Sequence, residues 1–305
     1  MEKPKLKLHK WIDITKINFD VLATNPNAID MINDMIKDNI NSINWFYLSG
    51  NPNAIEILKE NPDKINWAKL STNPNAIKLL KDNPDKIKWF QISANPNAIS
   101  LLNDNPDKID WYSLSANPNA ISILKDNPYE INWYTLSANP KAVQLLRKNY
   151  KKINWTFLSS NQSLDAIKLL KEHYDKINWC ILSLNYYGVD LLQDNLDKID
   201  WLFLSKNNNP KAISLLEKNI DKINWYYLSE NTNAIHLLKN NPDKINYYYL
   251  SKNPSIFTYD YEEIKKNFEK LGEEIIQKAL HPKRIIKLIE IYGEDEIYNN
   301  YFDDD

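Results

Sequence analysis

Apolar residues recur along this chain at one fixed set of spacings. Residues 66–83 show the pattern once: NWAKLSTNPNAIKLLKDN. Trp67 and Leu70 stand three apart and share a helical face. Ala76, Ile77 and Leu80 form a second such face, with Leu79 beside them. Polar punctuation falls between these faces. Asn66 is placed to cap a short first helix of roughly one and a half turns, partly 3-10 in character. Asn73 is placed to cap a second, longer helix with Pro74 at its first position, where the missing N–H costs nothing. Asn83 is suited to a left-handed closing residue, and Pro84 stops the helix from resuming.

The same block repeats. Its anchor positions are Phe19, Trp45, Trp67, Trp89, Trp111, Trp133, Trp155, Trp179, Trp201, Trp225 and Tyr247, which makes 11 units. The steps are 26, 22, 22, 22, 22, 22, 24, 22, 24 and 22 residues. A fixed period in this range is the mark of a solenoid. One unit cannot hide its apolar face, and helices this short do not persist alone in water, so stability has to come from stacking. The expected fold is all-α: an α-solenoid of about eleven 22–26-residue two-helix repeats, elongated, with N- and C-terminal caps. The tryptophans are expected to form its dry spine, each worth roughly 2–3 kcal/mol on burial. The cap column is Asn or Asp, except at Lys88, where a weaker first helix is expected.

The expected division is an N-terminal cap over residues 1–17, the solenoid over 18–253, and a C-terminal helical cap with an acidic tail over 254–305. Trp11, Ile12 and Ile14 are placed to cover the first unit. The first unit's second helix is extended, over residues 27–38. Two-residue insertions, in SSNQSLDAI (159–167) and SKNNNPKAI (205–213), fall in the turn between helices and spare the core columns. At 186–188 Tyr186 replaces the turn proline and Gly188 the usual alanine. Residues 259–280 and 282–292 read as amphipathic helices, the second ended by Gly293. The tail EDEIYNNYFDDD reads as frayed.

Lysine plus arginine number 38 against 40 acidic residues, so the net charge of −2 gives no global attraction to nucleic acid or anionic membrane. A single cysteine, Cys180, excludes an intramolecular disulfide framework and fits a reducing compartment. No apolar run reaches the length of a membrane span.

The run DKINWxxLSxNPNAIxLLK, as in residues 63–81, resembles the short Asn- and Pro-rich repeat proteins encoded in many copies by giant DNA viruses of amoebae. The segment FTYDYEEIKKNFEKLGEEIIQKALHPKRI, residues 257–285, is similar to the C-terminal part of such proteins. This resemblance implies a viral protein that acts inside the host cell, in the cytoplasm, or is carried in the virion. It supplies no catalytic residues. The NP-containing unit is also loosely similar to the leucine-rich variant repeat, which alternates 3-10 and α helices in a right-handed superhelix; the Trp column departs from that pattern.

No chemistry-bearing constellation accompanies the repeat. His9, His173, His236 and His281 do not stand at metal-ligand spacing, and Cys180 reads as a small buried residue after a core Trp. Asp303 to Asp305 read as a solvated end rather than a cation site. There is no phosphate loop or zinc-protease motif, so no cofactor or metal is expected and an enzyme is the least supported class. The lysines of the DKI motif are each compensated by a preceding Asp in most units, which reads as a solvated mixed-charge ridge. The informative column lies two residues after each anchor and varies: Tyr47, Lys69, Gln91, Ser113, Thr135, Phe157, Ile181, Phe203, Tyr227 and Tyr249. Phe46, Phe90, Tyr112, Tyr134, Tyr226 and Tyr248 stand beside it. Tyr47, Lys69, Gln91, Phe157, Ile181, Phe203, Tyr227 and Tyr249 are the candidate partner-binding residues, because aromatics dominate protein contacts. The expected function is a non-enzymatic scaffold for protein–protein interaction. The alternatives are a repeat protein that binds single-stranded RNA, or a structural component of a virus particle.

Overall fold

A computed structural model describes residues 5–293, apart from the side chains of Glu263 and Tyr292. The acidic tail and Asp303 to Asp305 lie outside the described residues. The chain forms two compact units, one of Leu8–Phe257 and one of Met1–Lys7 with Thr258–Asp305.

The first unit is helical apart from its strand ends at Leu8 and Phe257 and the short turns between helices. In the repeat at Trp67, Asn66 Oδ1 accepts from the Lys69 N–H at 2.9 Å and opens an α-helix over Trp67–Thr72. The short helices are therefore α, not 3-10. Asn73 Oδ1 then accepts from Asn75 N at 3.0 Å, which closes a tight turn through Pro74. The second helix starts only at Ile77, three residues beyond the expected Pro74, and runs to Lys81. Asn83 does not adopt the left-handed conformation; its φ is −136°. Its side chain closes the helix instead, with Nδ2 donating to the Leu79 carbonyl at 2.9 Å. A 3-10 turn, Pro84–Lys86, leads to the next repeat. Lys88 supplies no side-chain cap, yet Trp89–Ser93 is still helical. The first repeat's long helix spans Ile29–Asp38 after a 3-10 turn at Pro26–Ala28. The insertions lengthen two second helices, to Leu164–Glu172 and Pro210–Glu217, and leave Ala166 and Ala212 fully buried in the alanine column. Gly188 takes that column in its repeat, where an added Cβ would lie 2.7 Å from Leu182 Cδ1.

The core differs from the expected indole spine. Every tryptophan of the series is only half-buried. The fully buried columns are leucine or isoleucine three after the anchor, as in Leu48, Leu70, Ile92 and Leu114, the alanines, as in Ala54 and Ala76, and second-helix leucines such as Leu58 and Leu80. The indoles are too wide for this seam and lie at its margin, where lysines cover them. Lys108, Lys152, Lys222 and Lys244 each place Nζ 4.5–5.1 Å from the ring of the preceding repeat's Trp89, Trp133, Trp201 and Trp225. Such a contact is worth about 0.5–1 kcal/mol at an exposed site. Other lysines of that column pair with the preceding Asp, as at Asp85–Lys86, 3.0 Å.

Two polar columns are buried inside this apolar seam. Each serine four after the anchor accepts a backbone N–H from the next repeat, as Ser49 Oγ does from Asn66 N at 2.9 Å, and donates to its own anchor's carbonyl. Each asparagine two residues later donates both amide protons to the preceding repeat. Asn117 Nδ2 gives them to the Ser93 and Asn95 carbonyls at 3.1 and 2.9 Å. Asn73, Asn95, Asn139, Asn161, Asn185, Asn207, Asn231 and Asn253 repeat this arrangement.

This ladder has no free end. Asn25 of the first repeat donates to the Ser251 and Asn253 carbonyls of the last, both at 3.0 Å. Asn18 N donates to Ser251 Oγ at 2.9 Å, Asn27 Nδ2 to the Pro254 carbonyl at 3.0 Å, and Lys16 Nζ lies 5.5 Å from the Tyr247 ring centroid. The Leu8–Phe257 unit is thus a closed ring, not the elongated body that a linear repeat suggests. Ile12 and Ile17 are buried, while Ile14 is exposed.

Strand β1 (Leu6–Leu8) pairs with strand β2 (Phe257–Tyr259). The bonds His9 N to Ile256 O and Asp260 N to Lys5 O fix an antiparallel register. In the second unit Lys7 Nζ meets Asp260 Oδ1 at 2.6 Å. That unit also contains the helices Tyr261–Ala279 and Pro282–Tyr292, the latter closed by Gly293 at φ 92°.

Replacing Asn117 with Ala removes the side-chain donor from the buried Ser93 carbonyl, leaves the Asn95 carbonyl with the Ala98 N–H alone, and removes the turn bond to Asn119 N. Denaturant unfolding is expected to show a loss of roughly 2–4 kcal/mol. The same change at Asn97, whose amide bridge to the Pro74 carbonyl is exposed, is expected to cost under about 1 kcal/mol.

Candidate partner-binding face

The short helices approach one another closely from Trp45–Ser49 to Trp133–Leu136 and from Trp155–Ser160 to Trp201–Leu204. Trp67–Thr72 runs against Trp89–Ser93, Trp89–Ser93 against Trp111–Ala116, and Trp155–Ser160 against Trp179–Leu184. Among the second helices only Val189–Gln193 and Pro210–Glu217 come comparably near. In a closed ring the more closely spaced layer has the shorter circumference, so over these stretches the short helices lie on the inner side. Their core-facing positions are the third and fourth after the anchor; the first, second and fifth point away from the core.

The position two after the anchor is fixed by its backbone. Its N–H donates to the cap residue in each capped repeat, as Phe157 N does to Asn154 Oδ1 and Tyr227 N to Asn224 Oδ1. Apart from Thr135, whose hydroxyl also reaches Asn132 Oδ1 at 3.3 Å, the side chain takes no part in the cap, and the column is free to vary. Tyr47, Lys69, Gln91, Phe157, Ile181, Phe203, Tyr227 and Tyr249 are all half-buried, and Ser113 and Thr135 are buried. They act as wedges against the preceding repeat. Phe157 packs on Tyr134 with ring centroids 4.0 Å apart, and Tyr249 on Tyr226 at 4.2 Å. Lys69 Nζ lies 4.9 Å from the Phe46 ring, and Thr135 Oγ1 donates to the Tyr112 carbonyl at 2.8 Å.

The exposed aromatic area belongs to the neighbouring column, one after the anchor. Phe90 is 56% exposed and Tyr112 48%, with Phe46, Tyr134, Leu202, Tyr226 and Tyr248 in the same class. Leu202 stood out in no aromatic pattern; the register of the column alone would have marked it. At the fifth position Lys206 Nζ lies 4.4 Å from the Tyr227 ring, and Lys252 covers Tyr248 and Tyr249 at 4.6 and 4.8 Å. A cleft lined by Leu184, Lys206, Asn208, Tyr227, Glu230 and Asn231 opens beside this group. A further apolar column occupies the first residue of the 3-10 turns, where Tyr150, Tyr174, Leu196 and Ile220 replace proline and are exposed.

Cys180 is exposed rather than buried, and its Sγ donates to Asp200 Oδ2 at 3.3 Å. Local loss of water around the sulfur, and then the Asp200 carboxylate, push its thiol up, which disfavours the nucleophilic thiolate. His236 pairs with Glu217 at 2.7 Å, and His173 rests against Tyr150 and Trp155. Among the described residues no three His, Cys, Asp or Glu side chains converge as a metal site, and no helix is long and apolar enough to cross a membrane.

No family model, curated protein or solved structure matches this chain.

The Tyr249 phenol is pushed up to about 12, first by its hydrogen bond with Tyr226 and then by burial. A raised acid favours the fold while neutral, so this contribution is complete below the ordinary phenol range and is lost as pH climbs toward 12. In a titration at the phenolate absorption band, Tyr249→Phe is expected to remove a late-ionising group. Tyr226→Phe is expected to return one to the ordinary range. Cys180 is expected to react slowly with an alkylating probe near neutral pH, and Asp200→Asn to speed the reaction.

Proposed function

We propose that this chain is a non-enzymatic scaffold that binds another protein on the inner wall of its ring. The exposed aromatic column carries the reading. The core does not require those rings, the caps do not use them, and solvated phenylalanine and tyrosine in register are what protein contacts draw on. The half-buried column beneath packs on the exposed rings of Phe46, Tyr134 and Tyr226 and so tunes the surface from one repeat to the next. The similarity to giant-virus repeat proteins supports a viral protein that meets a host or viral partner in the host cytoplasm or in the virion.

Capture from host lysate tests this. The triple change Phe90→Ala, Tyr112→Ala and Tyr134→Ala is expected to abolish retention of the partner without loss of helical content. Changing Lys59, Lys81 and Lys125 on the second helices to Ala should leave it intact. Equal capture by both variants sinks the inner-wall assignment. Retention of single-stranded RNA at low salt, lost on raising the salt, turns the reading toward nucleic acid.

A further inference from the structure

We propose that repeat 1 is a latch: the ring opens where repeat 1 meets repeat 11, and repeat 1 swings on residues 39–44. Two independent features of the ring point to this device.

The first is the seam itself. It carries the same bonds as an interior junction: the two amide bonds from Asn25, the bridge from Asn18 N to Ser251 Oγ, the bond from Asn27 to the Pro254 carbonyl, and Lys16 over Tyr247. His9 N adds a bond to the Ile256 carbonyl, and the strand pair of Leu6–Leu8 with Phe257–Tyr259 continues from it. At every other junction the chain itself also crosses from one repeat to the next. Parting two repeats there stretches a covalent connection and unwinds the 3-10 turn that carries it. At the seam only non-covalent contacts part, and no repeat has to unfold. Local opening is favoured where no covalent link has to be stretched and no repeat has to unfold.

The second feature is on the other side of repeat 1. Ala23 occupies the serine position, so the hydroxyl that bridges other junctions is missing between repeat 1 and Asn44. The connection there is also the longest in the array. It runs through the helix Ile29–Asp38, an extended Asn39 at φ −160°, and the 3-10 turn Ile40–Ser42. Repeat 1 therefore has a complete set of contacts toward repeat 11 and an incomplete set toward repeat 2, with a long connection as the hinge. The Asn51 amide still ties repeat 2 to the Ala23 and Asn25 carbonyls, so repeat 1 keeps its attachment when the seam parts.

Amide hydrogen exchange resolved to single residues, on the intact protein, decides the matter. The seam amides of His9 and Asn18 are expected to exchange about tenfold or more faster than Asn132 and Asn154, the interior counterparts of Asn18, and at a common rate, because one opening frees both. Ser251→Ala is expected to speed exchange at His9 as well as Asn18, while Ser115→Ala leaves both unchanged. Seam amides that exchange no faster than the interior ones overturn the latch. So does a Ser251→Ala effect that never reaches His9.

Discussion

Everything in the ring depends on one carboxamide per repeat, donating twice. In Asn117 the oxygen accepts from Asn119 N and shapes the turn, and the amide gives its two protons to two carbonyls of the repeat before. All of this happens with no exposure to water. No other side chain fits. Aspartate has the same acceptor but no donor, and would bring a buried charge against two carbonyl oxygens. Glutamine places its amide one carbon too far out, and serine has a single proton to give. The cap position makes a telling contrast. It needs only an acceptor, and there aspartate stands in freely at Asp110 and Asp200.

That requirement explains where the array tolerates irregularity. The insertion in repeat 7 follows Asn161, and the one in repeat 9 follows Asn207, so both ladder amides keep their places. Each added residue is taken up by a longer second helix, Leu164–Glu172 or Pro210–Glu217. The YYG segment at 186–188 is accommodated in the same way: Asn185 holds the ladder, and glycine makes room for Leu182.

Much of this was legible in the sequence. Asn66, Asn132 and Asn224 read as caps and are caps, and the 22-residue step of the anchors gave the stacked helical array. What escaped was what spacing cannot encode. Period alone is silent on how far each repeat rotates against the next, so an open rod and a closed ring look alike. The signal for closure lay in repeat 1, where Lys16, Asn18, Asn25 and Asn27 keep every donor that a preceding repeat would have to receive. In a true first repeat the Asn18 and Asn25 oxygens would still cap their own helix and turn, but the amide protons of Asn25 and Asn27 would have no carbonyl to meet. Hydrophobicity also misplaced the tryptophans. Burial is decided by the width of the seam, which leucine and alanine fill, and the indoles are left half outside under lysine. For Cys180, its place in the exposed column, level with Tyr134 and Tyr226, was the better guide than its neighbour Trp179.

The candidate face follows the same division of labour. The two positions after each anchor split what a binding surface needs: one presents a ring, the other props it from below. Because the ring has no terminal repeat, these positions form a circuit, and the circuit is uneven. Phe90, Tyr112 and Tyr134 make one exposed arc, and Leu202, Tyr226 and Tyr248 another, with Thr156 and Cys180 between them on one side. The second arc alone is flanked by the lysines Lys206 and Lys252, and it borders the seam. A partner held by one arc rests against one side of the wall. A partner held by both must span the ring, and its entry and exit then depend on whether the wall can part.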